Sequence, residues 1–202
     1  MSTTKPLIIG LTGSIAMGKS TVAQMFEGAG VPVFDADAEV RRMQGPGGAL
    51  LPAIEAAFPG STGPEGVRRE ELGSIVFGDA DALARLETIV HPAVGVRREQ
   101  FLETNADAPM VVFDIPLLFE KGAAQLVDVV VVVSAPAEVQ RDRVMARKGM
   151  TEEKFEQILA IQMPDAEKRS RADHVIDTGT PLEETRAQVE ALVDKLKADL
   201  HK

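Results

Sequence analysis

The chain contains no cysteine. Disulfide staples and thiolate metal centres are therefore excluded, and three scattered histidines, His91, His174 and His201, give no zinc-ligand spacing. Any metal is expected to be Mg²⁺ held by oxygen atoms. Long hydrophobic runs are missing too. No window approaches the roughly 18 unbroken apolar residues that a membrane span requires. The opening Met1-Ser2-Thr3-Thr4-Lys5-Pro6 carries no apolar signal-peptide region, so a cytoplasmic protein without a membrane partner is expected. A general basic excess is also absent. The net charge of −9 argues against nucleic acid and anionic membranes as partners. Positive charge is instead local: residues 141–148 carry four basic side chains against one acidic, and Lys168, Arg169 and Arg171 form a second cluster. A small anionic ligand suits that distribution. With 45% hydrophobic and 26% charged residues, the 202-residue chain can bury one substantial core.

What the sequence does contain is organised around residues 7–21. Leu7, Ile8, Ile9 and Leu11 form the short apolar run of a buried parallel strand. It leads at once into Gly13-Ser14-Ile15-Ala16-Met17-Gly18-Lys19-Ser20, the phosphate-loop pattern GxxxxGK[ST]. Glycines in this pattern let successive backbone N–H groups curl around phosphate oxygens. Lys19 reaches the β and γ phosphates, and Ser20 offers a hydroxyl to Mg²⁺. Thr21 continues into a helix whose N-terminal dipole also favours an anion.

A second strand, Val31 to Phe34, delivers Asp35-Ala36-Asp37 to the rim where α/β sheets bind ligands. Either carboxylate there can hold metal-bound water or accept a proton from an attacking hydroxyl, and one can instead cap the helix expected from Ala38. From Gly47 to about Asn105 the pattern is helical, with Pro/Gly breaks, and far longer than a plain crossover requires. His91-Pro92 is expected to kink or restart a helix there. Met110 to Phe113 is a third strand ending in Asp114, followed by the stiff turn Pro116-Leu117-Leu118. Val127 to Val133 is a fourth, with Asp128 inside it, and His174 to Ile176 a fifth. Arg143 and Arg147, at i and i+4, are expected to share one helix face, either as an ordinary charged surface or as a clamp over a phosphoryl group. Ile158 and Ile161 are expected to point inward, as is Leu182 at the start of the last helix.

Taken in order, Leu11-Thr12-Gly13 with Gly18-Lys19-Ser20, Asp35-Ala36-Asp37, Val90-His91-Pro92, Asp114 to Glu120, Gln140 with Arg143 and Arg147, Gln162-Met163-Pro164 and Ala172-Asp173 with Val175-Ile176-Asp177 resemble the dephospho-CoA kinase family. The resemblance implies an α/β fold of the P-loop NTPase type: a five-stranded parallel sheet flanked by helices, with a helical substrate-binding insertion and a helical lid. Residues 1–46 and 108–202 would form the nucleotide-binding core, with the lid at about 138–170 and the insertion at 47–107. ATP would be the phosphoryl donor with Mg²⁺, and the acceptor would be the ribose 3′-hydroxyl of dephospho-CoA. Carried over by position, Gly13, Ser14, Ile15, Ala16, Met17, Gly18, Lys19, Ser20, Thr21 and Arg147 would contact ATP, and Ser20 and Asp35 would serve the metal. Asp37 would be the base, with Lys19 and Arg143 assisting transfer. Thr12, Asp35, Arg69, His91, Pro116, Leu117 and Leu118 would face dephospho-CoA. The chain departs from the family pattern at Ser14, Ala16 and Met17, where glycine is usual, and at Thr178, where asparagine is frequent. The alternatives are another P-loop nucleotide or small-metabolite kinase, or a phosphate-loop GTPase or regulatory module. No NKxD segment supports a GTPase, and the rim aspartates count against a passive binder.

Overall fold

The structure is a computed structural model in which residues 5–200 are described; His201, Lys202 and Met1 to Thr4 lie outside them. β1 (Leu7–Thr12) is buried along all but its first residue and passes through the loop into α1 (Lys19–Gly28). β2 (Val33–Asp35) feeds directly into α2 (Ala36–Gln44). Next come α3 (Leu51–Ala57), a small hairpin of β3 (Thr62–Gly63) and β4 (Gly66–Val67), α4 (Arg69–Val76) and the long α5 (Ala80–Thr104). The chain then returns through β5 (Met110–Asp114) and β6 (Val129–Ser134) to α6 (Ala137–Met145), α7 (Glu152–Ile161), α8 (Asp165–Ser170), β7 (His174–Asp177) and α9 (Leu182–Leu200).

Five strands form one sheet in the order β2-β5-β1-β6-β7. β1 runs parallel to β5, with Leu11 opposite Asp114, and parallel to β6, with Thr12 opposite Val132; β6 and β7 are parallel as well. Early connections build to one side of β1 and later ones to the other. The direction of winding therefore reverses at β1, which opens a ligand crevice at its carboxyl end.

Two aspartates set strand register. Asp128 donates its N–H to the Ile8 carbonyl and accepts the Ile8 N–H on its carboxylate, each at 2.8 Å. Asp173 accepts the Val130 N–H at 2.7 Å. Asp128 thus stands ahead of β6 rather than inside it, because its carboxylate takes the place of a backbone acceptor at the strand's start.

Residues up to Phe34 and from Asn105 onward form one compact unit, and Asp35–Thr104 form another. In the first, Val22, Met25 and Phe26 of α1 pack with Val189, Leu192 and Val193 of α9 and the β1, β5 and β6 side chains. Phe34 meets Phe113 edge-on, with ring centroids 5.8 Å apart. The second unit has its own core of Met43, Leu50, Ile54, Phe58, Leu72 and Ala82, with the Arg85 guanidinium over the Phe58 ring.

Several expectations are corrected. The segment 47–105 is not purely helical, since it contains the β3–β4 hairpin. Of the kink or restart expected at His91-Pro92, the restart does not occur, since α5 is continuous through it. Pro92 and Thr88 both face water, so the carbonyl that Pro92 leaves without a helical donor stays solvated. The basic cluster of Lys168, Arg169 and Arg171 is not one open patch on a loop, since residues 165–170 form α8. Ile161 and Leu182 are 74% and 61% exposed, and the residue that α7 buries is Phe155. Lys168 does not contribute to an open basic cluster: it is fully buried, with its Nζ 2.8 Å from Glu120.

Candidate active site

The loop after β1 is held by close packing and by hydrogen bonds from three sides. A Cβ on Gly13 would lie 2.7 Å from the Val133 carbonyl oxygen, so only glycine lets the loop lie against β6. Gly18 caps α1 at φ 85°, a left-handed conformation suited to glycine. Ala16 also has positive φ, 59°, and its buried methyl packs with Val144 and Phe155. The Gln162 side chain accepts the Ile15 N–H at 2.9 Å, and Gln140 donates to the Ile15 carbonyl at 2.8 Å. Met17 is buried; its sulfur accepts the Ala135 N–H and its carbonyl accepts the Thr178 hydroxyl at 2.7 Å. Ser14 is buried while Ser20 is exposed on the first turn of α1.

Lys19 Nζ is hydrogen-bonded and ion-paired to Asp114, the last residue of β5. The paired register of β1 and β5 produces this contact, because it brings the tip of one strand beside the loop leaving the other. The loop residues 13–21 line a cavity of about 570 Å³ together with Pro116, Arg143, Arg147, Ile158, Gln162 and Thr178. Two guanidinium groups, a lysine and a helix start therefore converge on one concave surface, which is the electrostatics of an anion site. Arg143 donates to the Thr178 hydroxyl at 3.1 Å and to its carbonyl at 2.6 Å. Arg147 does not lie on the α6 face as expected. The helix ends at Met145, and Arg147 reaches the cavity from the turn beyond, where its N–H bonds to the Val144 carbonyl.

The remaining candidates divide. Asp35 is the N-cap of α2: one carboxylate oxygen accepts the Ala38 N–H at 2.8 Å and the other lies 3.5 Å from Arg41. Asp37, in the first turn, is exposed and has no partner among the described residues. Pro116 lines the cavity and Leu117 is half-buried. Leu118 is fully buried with Val130 and Val132, so its side chain faces the core and not a ligand. Thr12 is fully buried as well; its hydroxyl donates to the Pro116 carbonyl at 3.1 Å and so fixes the turn after β5. Arg69 is exposed at the start of α4, and His91 is exposed on α5.

Lys19 has no partner in the sequence-based expectations, although an acid at the end of a neighbouring strand is the signal for one. Thr180, Leu182 and Thr185 line the cavity without any sequence-based expectation of a site role, and Thr178, singled out in the sequence only as a departure from the family's asparagine, lines it too. Among the described residues no helix is long and apolar enough to cross a membrane.

The family model described as dephospho-CoA kinase (CoaE) matches residues 7–184. The chain belongs to the dephospho-CoA kinase family. A dephospho-CoA kinase of Novosphingobium aromaticivorans is 66% identical over 194 residues, covering 96% of each chain. Among solved structures, TT1252 from Thermus thermophilus superposes with a TM-score of 0.79 at 37% identity, covering 96% of this chain and 99% of that one. The dephospho-CoA kinase of Campylobacter jejuni superposes at 0.67 and 23% identity, covering 96% and 98%, and supports the fold. Membership of the dephospho-CoA kinase family makes the chain a transferase that phosphorylates a hydroxyl group.

Proposed function

We propose that the cavity carries out ATP-dependent phosphorylation of the ribose 3′-hydroxyl of dephospho-CoA, giving CoA, the family reaction, with the residue roles that follow. The observation that carries these roles is the convergence of the curled loop, Lys19, Arg143 and Arg147 on one cavity. The loop N–H groups and Lys19 bind the triphosphate. Arg143 and Arg147 offset charge that spreads over the transferring phosphoryl oxygens. Ser20 on the cavity wall offers a hydroxyl and Asp114 at Lys19 a carboxylate, the oxygen donors that a hard divalent cation takes, whereas Asp35, expected to serve the metal, caps α2. Bound Mg²⁺ would supply neutralisation of the phosphate charge.

Asp37 is assigned as the base that orients and deprotonates the acceptor hydroxyl. Its neighbour Asp35 is already committed to capping α2 and to Arg41, whereas Asp37 is exposed without a partner among the described residues. The Asp35–Thr104 unit, with Arg69 and His91 on its surface, is assigned to dephospho-CoA.

Purified protein incubated with ATP, Mg²⁺ and a panel of alcohol acceptors tests the reading. Turnover on dephospho-CoA is expected, and turnover only on a nucleoside monophosphate or sugar would overturn the acceptor. Asp37→Asn should lower kcat by about 10²- to 10⁴-fold, the range for loss of a positioned base, with ATP affinity nearly unchanged. An equal loss of ATP affinity would move Asp37 out of the chemical step.

A further inference from the structure

Thr178 is 5% exposed and lies behind the phosphate loop, on the turn that leaves β7. Its hydroxyl hydrogen goes to the Met17 carbonyl at 2.7 Å, with the Ser134 carbonyl a poorer second acceptor at 3.3 Å. Its hydroxyl oxygen accepts from Arg143, whose other terminal nitrogen holds the Thr178 carbonyl. Its N–H donates to the Ser134 carbonyl at 2.8 Å, which ties the residue to the end of β6. The methyl and hydroxyl also stand against Gly18: a Cβ there would come within 3.3 Å of both. One side chain therefore touches the carbonyl before Gly18, the glycine that turns left-handed into α1, and the arginine that faces the cavity.

We propose that Thr178 is a positioning residue for phosphoryl transfer, holding the Met17–Gly18 peptide in its anion-binding orientation and aiming the Arg143 guanidinium from the same hydroxyl. The peptide between Met17 and Gly18 has its carbonyl turned back to Thr178, so its N–H side is turned the other way, as a phosphate cradle needs. Without the hydroxyl, the Met17 carbonyl would seek another donor, and the simplest way is a flip of that peptide. Arg143 would then keep only the Thr178 carbonyl and swing about a single contact. In this chain the hydroxyl serves both contacts, because one O–H can donate to the loop and accept from the guanidinium at once. A methyl in its place does neither.

The inference rests on the kinase reading, and its test separates the two. Equilibrium titration with ATP and Mg²⁺, without acceptor, is run on the parent chain, Thr178→Val and Thr178→Ser, with a thermal melt of each. Valine keeps the volume and removes the hydroxyl. The expected result is a Kd for ATP raised about tenfold in Thr178→Val, the size of effect expected from orphaning a buried acceptor, and largely restored in Thr178→Ser. The KM for dephospho-CoA should stay the same. In a double-mutant cycle with Arg143→Ala, the losses in kcat should be less than additive, because both variants release the same contact. Should the valine variant melt too low to titrate, the serine variant and Thr178→Ala, measured at reduced temperature, carry the comparison. Parent-like ATP affinity in a folded Thr178→Val protein overturns the loop role, and additive kcat losses overturn the Arg143 role. A parent chain that binds no ATP would instead remove the kinase reading itself.

Discussion

Single side chains in this protein carry charge into the interior. Lys168 is buried, and its ammonium lies 2.8 Å from Glu120, whose carboxylate also accepts the Met163 N–H. Burial alone pushes the Glu120 carboxyl upward. The bonds from Lys168, from its own backbone and from Met163 outweigh it and hold the group below its ordinary range. Removing one partner strands the other, so Lys168→Met should cost about 3 kcal/mol in urea unfolding, while the double variant with Glu120→Leu should recover most of that loss. A second side chain sets an acid limit. Burial, and then the positive charge of Lys195, hold His174 below its usual 6.5 against the opposing pull of Asp173 and Asp199. As pH falls below 6.5 the unfolded chain takes the proton first, so stability is lost until the folded value is reached. The Glu120 contribution follows the same sign at lower pH: it is present above about 4.5 and lost as pH falls through the depressed folded value. Replacing His174 by Asn should flatten the first of these losses in melts recorded from pH 7 to 5, and an unchanged slope would remove His174 from the account.

At the scale of elements, α5 offers the clearest conflict between local rule and structure. Its 25 residues continue through Pro92, which removes one helical hydrogen bond. Pro92→Ala should therefore stabilise the Asp35–Thr104 unit by about 1–3 kcal/mol, read from hydrogen exchange of the α5 amides. A loss of stability would mean that the proline matches a bend the unit needs. Why some elements were legible in the sequence and others were not has a physical basis. The strands at residues 7–12, 110–114 and 129–134 are nearly continuous apolar runs, because both faces of a central parallel strand are covered. The phosphate loop was legible because its chemistry dictates spelling at fixed spacing. The β3–β4 hairpin was not, since two residues per strand carry no alternation. α8 was hidden because it is polar and buries only Lys168, whose partner lies far along the chain. Thr12 and Leu118 sit within recognisable motifs but serve packing and turn geometry, a distinction that only burial reveals.

For the whole molecule, the balance of charge opposes its own ligand. A net −9 surrounds a cavity whose cations are Lys19, Arg143 and Arg147. Long-range repulsion is screened more readily than contacts at hydrogen-bond distance, so added salt should speed ATP association and also weaken equilibrium affinity. Stopped-flow binding between about 10 and 300 mM salt, about a fivefold change in screening length, checks this, and a falling on-rate would show that local steering prevails.

The contact between Lys19 and Asp114 has one more consequence, for discrimination among solutes. An ammonium with its counter-ion at contact distance is a poor trap for sulfate or orthophosphate, each of which must displace the carboxylate and leave it facing a like charge. A triphosphate arriving with a divalent cation brings replacements for both members of the pair. The ion pair should therefore favour a nucleotide that brings its own cation over a bare inorganic anion, which competition of sulfate against ATP with Mg²⁺ would measure.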